Sequence, residues 1–384
     1  MQANALKTYS RLPWTNEFRS EFPTHHARSY LKDKDFAKLQ DFLFAEKHVD
    51  FRKAKLITKV LKNDMGVVKN DNEVIVTINL PFVEYQCVGC KRNLCRVDRI
   101  GNDYSYYIEA IRREIEQLNE IVKKKCYIVK SVCFTGNLLA LGEEDMKKLL
   151  GMCQFPLSEK NVEIGNPIFM TEAKLKILSD FGVEHLIFNT LTFNTVSLRK
   201  LCRHFTLKDF ISPLRQAKQL GFLLSFELVV GLFDEQGLQI TRSIHDAIEL
   251  GANSVELFSR FCPYESEIIT QTNQSAISLQ RKNLDIAFDV MSEANFEPYF
   301  LYCTEVDGGC FENVGYALNG GKSKYLEDKK LRISTELACG CDVRSVVVKH
   351  QENEKNELCA DKSLLGYVKN IDNLLQKKEK MFLN

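Results

Sequence analysis

At 384 residues the chain has room for one large domain with appendages, or for two domains. Hydrophobic residues at 45% and charged residues at 27% exclude disordered, collagen-like and coiled-coil chains. Fifty-two basic residues against 51 acidic ones leave a formal charge of +1, which argues against a dedicated nucleic-acid binder.

The opening residues MQANALKTYSRLPW lack the charged-then-apolar pattern of an export signal. No stretch approaches ~18 consecutive apolar residues, so no membrane span is expected. The expected location is the cytoplasm. Residues 1–72 are mixed and polar, with a helical patch at DFAKLQDFLFAEK, and read as an N-terminal helical extension. From Val74, VIVTINLP alternates and is rich in β-branched residues, which predicts a strand closed by a proline.

The segment after that strand holds the most specific chemical signal. Cys87, Cys90 and Cys95 in YQCVGCKRNLCR have C-x2-C-x4-C spacing, off any helical period, beside Gly89. The chain has 13 cysteines and no export signal, so disulfides are not expected; this cluster points to one metal or iron–sulfur centre. The other cysteines read as small core fillers: Cys126 and Cys133 within a strand CYIVKSVCF, Cys202 on a helical apolar face, and Cys339 and Cys341 near the end.

Beyond the loop, YSYYIEAIRREIEQLNEIVKK carries Ile108, Ile111, Ile115 and Leu118 at helical spacing. There follow a strand at CYIVKSVCF, a helix at EEDMKKLLGMC, an extended segment at NVEIGNP, and a helix at TEAKLKILSDFG ended by Gly182. The rhythm continues through strand VEHLIFN, helix LKDFISPLRQAKQLG, strand FLLSFELVVGL, helix ITRSIHDAIELG, strand NSVELFS, helix ISLQRKNLDIAFDVMSEA and strand EPYFLY. Alternation of this kind predicts a parallel sheet with right-handed crossovers, and its chemistry at the C-terminal ends of the strands. No Gly-rich dinucleotide fingerprint follows the first strand, so a partial (β/α)6 barrel fits better than a Rossmann fold. The expected division is 1–72 extension, 73–302 barrel and 303–384 an α+β region ending in an amphipathic helix at LLGYVKNIDNLLQKKEK.

The motif order from Val74 onward resembles the oxygen-independent coproporphyrinogen III oxidases of the radical S-adenosylmethionine superfamily, and their coproporphyrinogen-dehydrogenase-like branch in particular. The residues that carry the resemblance are INLPF, VEIGNPIFMT, FNTLTFNTVSLRKLCRHFTLKDF, SFELVVGL, LYCTEVDGGCFENVGYALNG and ELACGCDVRS. The resemblance implies an α/β partial TIM-like barrel, a 4Fe–4S cluster that leaves one iron open to S-adenosylmethionine, and oxidative radical chemistry on a tetrapyrrole propionate. It also implies an electron donor as partner; nucleic acid and membrane are not expected, on the charge balance and the lack of a long apolar run. On this basis Gly136, Glu163, Arg203 and Glu227 meet S-adenosylmethionine, and of the expected metal ligands Cys87, Cys90 and Cys95 the first two fall on the family's cluster positions, the third being supplied by the spacing alone.

Several positions differ from the family pattern. The family spacing is C-x3-C-x2-C, and its first cysteine falls on Val83; C-x2-C-x4-C is similar to the motif of thiamin pyrimidine synthases. FTGNLLAL stands where the family has a glycine run followed by Thr-Pro, so Asn137, Leu138 and Leu139 would crowd a bound methionyl group. Glu227 replaces an aspartate, and Leu191 a glutamine. These differences leave a second reading: a barrel without S-adenosylmethionine chemistry that binds haem or a partner, its thiols vacant or holding zinc. Phe82 and Tyr85 are expected to be packing residues, and His204 a structural one.

Overall fold

The computed structural model describes residues 71–83, 104–232, 235, 237–258, 274–306, 309–331, 333–349 and 354–383, with the backbone alone at 95–96 and over parts of 274–281, 302–312 and 354–355. The N-terminal extension and the loop bearing Tyr85, Cys87, Gly89 and Cys90 lie outside these residues.

In chain order the elements are β1 (Glu73–Leu80), β2 (Phe82–Val83), β3 (Cys95–Arg96), α1 (Ser105–Lys125), β4 (Ile128–Gly136), α2 (Glu143–Met152), β5 (Glu159–Ile164), α3 (Glu172–Asp180) and β6 (His185–Leu191). They continue with α4 (Thr195–Lys200), α5 (Leu207–Gln219), β7 (Leu223–Val229), α6 (Gly237–Glu249), β8 (Ser254–Phe258), α7 (Gln274–Glu293), β9 (Glu297–Val306) and β10 (Gly309–Ala317). The last are α8 (Lys324–Leu331), β11 (Thr335–Cys339), β12 (Arg344–Lys349), β13 (Glu354–Cys359), α9 (Leu364–Lys369) and α10 (Ile371–Leu383). Among the described residues, no helix is long and apolar enough to cross a membrane.

The described chain divides into two compact units. One comprises Lys69–Asn189, Leu198–Ser225 and Ser323–Asn384; the other holds Thr190–Ser197 and Phe226–Lys322. In the first, β1 pairs in parallel with β4 and with β11, β4 with β5, and β5 with β6. The expected parallel core is therefore present. β12 and β13 add to the β11 edge in antiparallel fashion. In the second unit β10 pairs antiparallel with both β8 and β9. The predicted strand EPYFLY is thus β9, the outer arm of a hairpin, and β10 stands between it and β8.

Parallel register puts paired residues on the same face of a sheet. On one face of the first unit stand Val74, Val76, Ile78 and Leu80, Val132 and Phe134, Val162 and Ile164, and Leu186 and Phe188, all at most 2% exposed. α1, α2, α3 and α5 pack on one another in succession as the crossovers of these strands. Each such side chain withdrawn from water contributes roughly 1.5–3 kcal/mol. α1 follows the predicted isoleucine stripe, and Lys123, Lys124 and Lys125 in its last turn complement the negative end of its dipole.

Three local expectations differ from what forms. Cys126 is not in a strand: it caps α1 with φ 53° and is exposed, because the helix runs on through Lys125 and the strand starts at Ile128. Cys202 lies past α4, in a left-handed turn with φ 54°, not on a helical face. The predicted terminal helix is two, broken at Asn370, whose Nδ2 donates to Asp361 Oδ2 at 2.9 Å. Cys133, Cys339 and Cys341 are core fillers as expected, each at most 1% exposed.

Candidate functional site at the strand ends

The opposite face of the same strands is polar, although it is equally buried. Across β1, β4, β5 and β6 one row of the register is Thr77, Cys133, Asn161 and His185. Ser131 pairs with Glu159 one step toward the strand starts, while Asn79 pairs with Thr135 and Glu163 with Ile187 toward the strand ends. Parallel strands covered on both sides are usually apolar throughout. A polar lining in this position marks an interior built to hold polar matter.

Its lower half is filled by α8. Tyr325 Oη and Thr77 Oγ1 are 3.1 Å apart, and Thr77 donates to Glu336 at 2.7 Å. Glu159 receives the first backbone N–H groups of α8, from Lys324 at 3.0 Å and Tyr325 at 3.2 Å, together with the Ser323 hydroxyl. A carboxylate at a helix N-terminus is well placed electrostatically. Burial, then Cys133 and Glu336, push the Tyr325 hydroxyl well above its ordinary pKa, so it stays neutral. Burial likewise holds His185 below the usual histidine range, against the opposing pull of Glu159.

The upper half, at the C-terminal ends of the strands, carries the predicted residues. Gly136 ends β4 with φ 81°, and a Cβ there would stand 2.1 Å from the Leu80 carbonyl oxygen. Only glycine lets β4 approach β1 so closely. The Gly136 N–H donates to Glu163 Oε2 at 2.9 Å, so the structure brings these two predicted residues together. Arg203 is nearly buried; it donates through Nη2 to Asn189 Oδ1 at 2.9 Å and through Nη1 to the Asn189 carbonyl, with its guanidinium over the Phe205 ring. His204 beside it is exposed. In the other unit Glu227 is buried on β7, and the buried Glu256 lies on β8.

The cysteine loop leaves and returns at this same end. β2 and β3 pair in parallel, with Phe82 opposite Cys95, immediately beyond β1. Phe82 is 1% exposed and packs against Tyr104 and edge-on to Tyr107, a packing residue as expected. The predicted ligands Cys87 and Cys90 lie outside the described residues, and of Cys95 only the backbone is described. Among the described residues no group of three or more His, Cys, Asp or Glu could hold a metal ion.

Sequence reasoning missed a network that fixes the end of β1. Tyr107 Oη donates to the Asn79 carbonyl at 2.7 Å and accepts from Cys341 N at 3.1 Å, while Asn79 Nδ2 donates to the Cys341 carbonyl at 2.7 Å. Behind it Glu114, fully buried, accepts from Gly340 N at 2.7 Å and Tyr367 Oη at 2.5 Å, and pairs with Lys378 Nζ at 2.6 Å. The available signal was an acid inside the apolar stripe of α1.

The Glu163 carboxylate and the Arg203 guanidinium are of the charge types that an ammonium and a carboxylate would each need. Leu138 and Leu139, expected to crowd a bound methionyl group, are fully buried in a 3-10 turn. Asn137 is 3% exposed and its Oδ1 has no hydrogen-bond partner. A buried acceptor left unmet costs about 1–3 kcal/mol.

No family model matches the chain. The oxygen-independent coproporphyrinogen-III oxidase-like protein HemZ of Bacillus subtilis (strain 168) is 21% identical over 343 residues, 85% of this chain and 68% of that protein. The heme chaperone HemW of the same organism is 30% identical over 190 residues, 47% of this chain and 49% of HemW, so the match spans about half of that relative. Among solved structures, the Escherichia coli coproporphyrinogen III oxidase HemN, a radical SAM enzyme, matches with a TM-score of 0.57 at 15% identity, over 78% of this chain and 69% of that one. The structural likeness shows the fold. Together these matches relate the chain to the coproporphyrinogen-oxidase-like branch of the radical S-adenosylmethionine superfamily.

Proposed function

We propose that the chain is a radical S-adenosylmethionine protein of the coproporphyrinogen-oxidase type, with Cys87, Cys90 and Cys95 as the ligands of one 4Fe–4S cluster. Gly136, Glu163, Arg203 and Glu227 are the proposed contacts of S-adenosylmethionine. The observation that carries this reading is the buried polar sheet face whose open end is also where the cysteine loop departs and returns. When bound, the cluster and S-adenosylmethionine supply one-electron cleavage of a sulfonium and hydrogen abstraction from a substrate carbon.

The protein's own residues prepare that end. The Gly136 N–H donates to the Glu163 carboxylate and holds it at the strand end. Asn189 holds the Arg203 guanidinium, whose positive charge suits a carboxylate. Tyr325 and Glu159 keep α8 over the lower half of the polar face and so exclude water from it. The proposed substrate is a small tetrapyrrole, and an external protein or small molecule delivers the electron.

Anaerobic reconstitution tests this. The expected result is about four irons and four sulfides per chain with a visible absorbance bleached by dithionite, lost in Cys95→Ser. Colourless protein that takes up zinc alone overturns it.

A second reading has its own support in the 30% identity to a heme chaperone. In it the chain binds haem and performs no sulfonium cleavage. A haem absorbance band in titrations, with no S-adenosylmethionine consumed by reduced protein, distinguishes it.

A further inference from the structure

We propose that the strand-start end of the first unit carries a second binding site, for a small organic anion with an apolar body. The site stands apart from Gly136, Glu163 and Arg203, and depends neither on a cluster nor on S-adenosylmethionine.

A cavity of about 720 Å³ opens there, bounded by the residues before β1, the start of β11, β12, β13 and the C-terminal ends of α1 and α10. Small-molecule sites span roughly 300–1,000 Å³. All of its lining belongs to the first unit. Thr335, the first residue of β11, lines it and is in register with Val74, whereas Gly136 is in register with Leu80 at the other end of β1.

The lining charges are unbalanced. Lys125, Lys377 and Lys380 stand against two carboxylates, Asp71 and Glu357. Glu357 is already held by Arg344 at 2.8 Å. Asp71 lies by Tyr127, whose hydroxyl is raised above its ordinary pKa first by burial and then by this carboxylate. None of the three lysines has a carboxylate partner among the described residues. A helix dipole does not account for all of them, because Lys377 stands before the last turn of α10. Lys377 and Lys380 are at helical i, i+3 spacing and so lie on one side of α10. Lys378 between them does the opposite and turns inward to the buried Glu114.

The remaining wall is apolar. Val348 and Phe382 are buried there, and Leu358 and Met381 are half-buried. Lysines without counter-ions beside an apolar wall select a ligand that joins negative charge to an apolar body. Tyr127, neutral at ordinary pH, adds a hydroxyl donor to the lining.

Fluorescence titration of the full chain tests the proposal with two dyes. Anilinonaphthalene sulfonate has an apolar body and a negative charge; phenylnaphthylamine has the same body without the charge. The sulfonate dye is expected to saturate a single site and to bind more weakly as salt rises. Lys377→Gln with Lys380→Gln is expected to weaken it roughly tenfold and to leave the neutral dye unchanged. Both lysines are exposed, so the thermal midpoint should hold. Lys377→Arg with Lys380→Arg, which keeps both charges, should bind the sulfonate dye as wild type does. Equal affinity of wild type and the double Gln variant for the sulfonate dye overturns the proposal, as does an equal loss for both dyes. A wild-type chain with no saturable binding of the sulfonate dye overturns it as well.

Discussion

Gly136 and Glu163 stand on neighbouring strands, and the backbone N–H of the first is bonded to the carboxylate of the second at 2.9 Å. The bond couples the geometry of a turn to the charge of a side chain. Gly136 has φ 81°, and no room for a Cβ exists against Leu80. Gly136→Ala should therefore cost roughly 1–3 kcal/mol in backbone strain alone, with the clash in addition. Urea unfolding measures it. An unchanged midpoint would show that β1 and β4 separate easily at this end. Glu163→Gln keeps the acceptor and should cost less.

The Glu114–Lys378 pair lies wholly inside, with side chains 0% and 6% exposed. Removing one partner strands the other charge. Lys378→Met should lose about 3–5 kcal/mol, whereas the double change Glu114→Leu with Lys378→Met should regain most of it. Both are read from urea denaturation followed by circular dichroism. A single variant as stable as wild type contradicts the pairing.

His185 gives the pH dependence a sign. Its native pKa is lowered by burial, while the unfolded chain takes a proton near the ordinary value of about 6.5. Below that pH the unfolded state binds a proton that the native state refuses. The associated stability is present above pH ~6.5 and is lost as pH falls through the lowered native value. Thermal midpoints of wild type should drop through this window, and those of His185→Phe should drop less.

Thiol accessibility separates the cysteines. Burial pushes the Cys153 thiol up to about 12, so it carries almost no thiolate in neutral buffer. Cys126 and Cys359 are exposed. Iodoacetamide followed by peptide mass spectrometry should label the latter two within minutes and Cys153 only after denaturation. Labelling of Cys153 at a comparable rate would mean that α2 opens readily.

The strands and crossover helices were legible because their signals are local: β-branched alternation, isoleucine spacing, and stop residues such as Gly182. NVEIGN even shows the alternation of Asn161 and Glu163 with Val162 and Ile164 that puts polar groups on one face. The rest depended on distance along the chain. Tyr367 and Glu114 are 253 residues apart, and no periodicity announces such a partnership. β11 joins β1 as a parallel neighbour from within a tail whose short apolar runs predict little more than edge strands. Cys126 was misplaced by one turn of helix, because the apolar run CYIVK looks the same at a helix end and at a strand start. Gly136 and Glu163, by contrast, were singled out by resemblance, and they meet.

α8 is bolted across the strand starts by Tyr325 to Thr77 and Ser323 to Glu159, partners 248 and 164 residues apart along the chain. The sheet is thus clasped by its own tail: a chain cut short before Ser323 would leave Thr77 and Glu159 as buried polar groups stripped of these partners, and the interior strands would bear the loss.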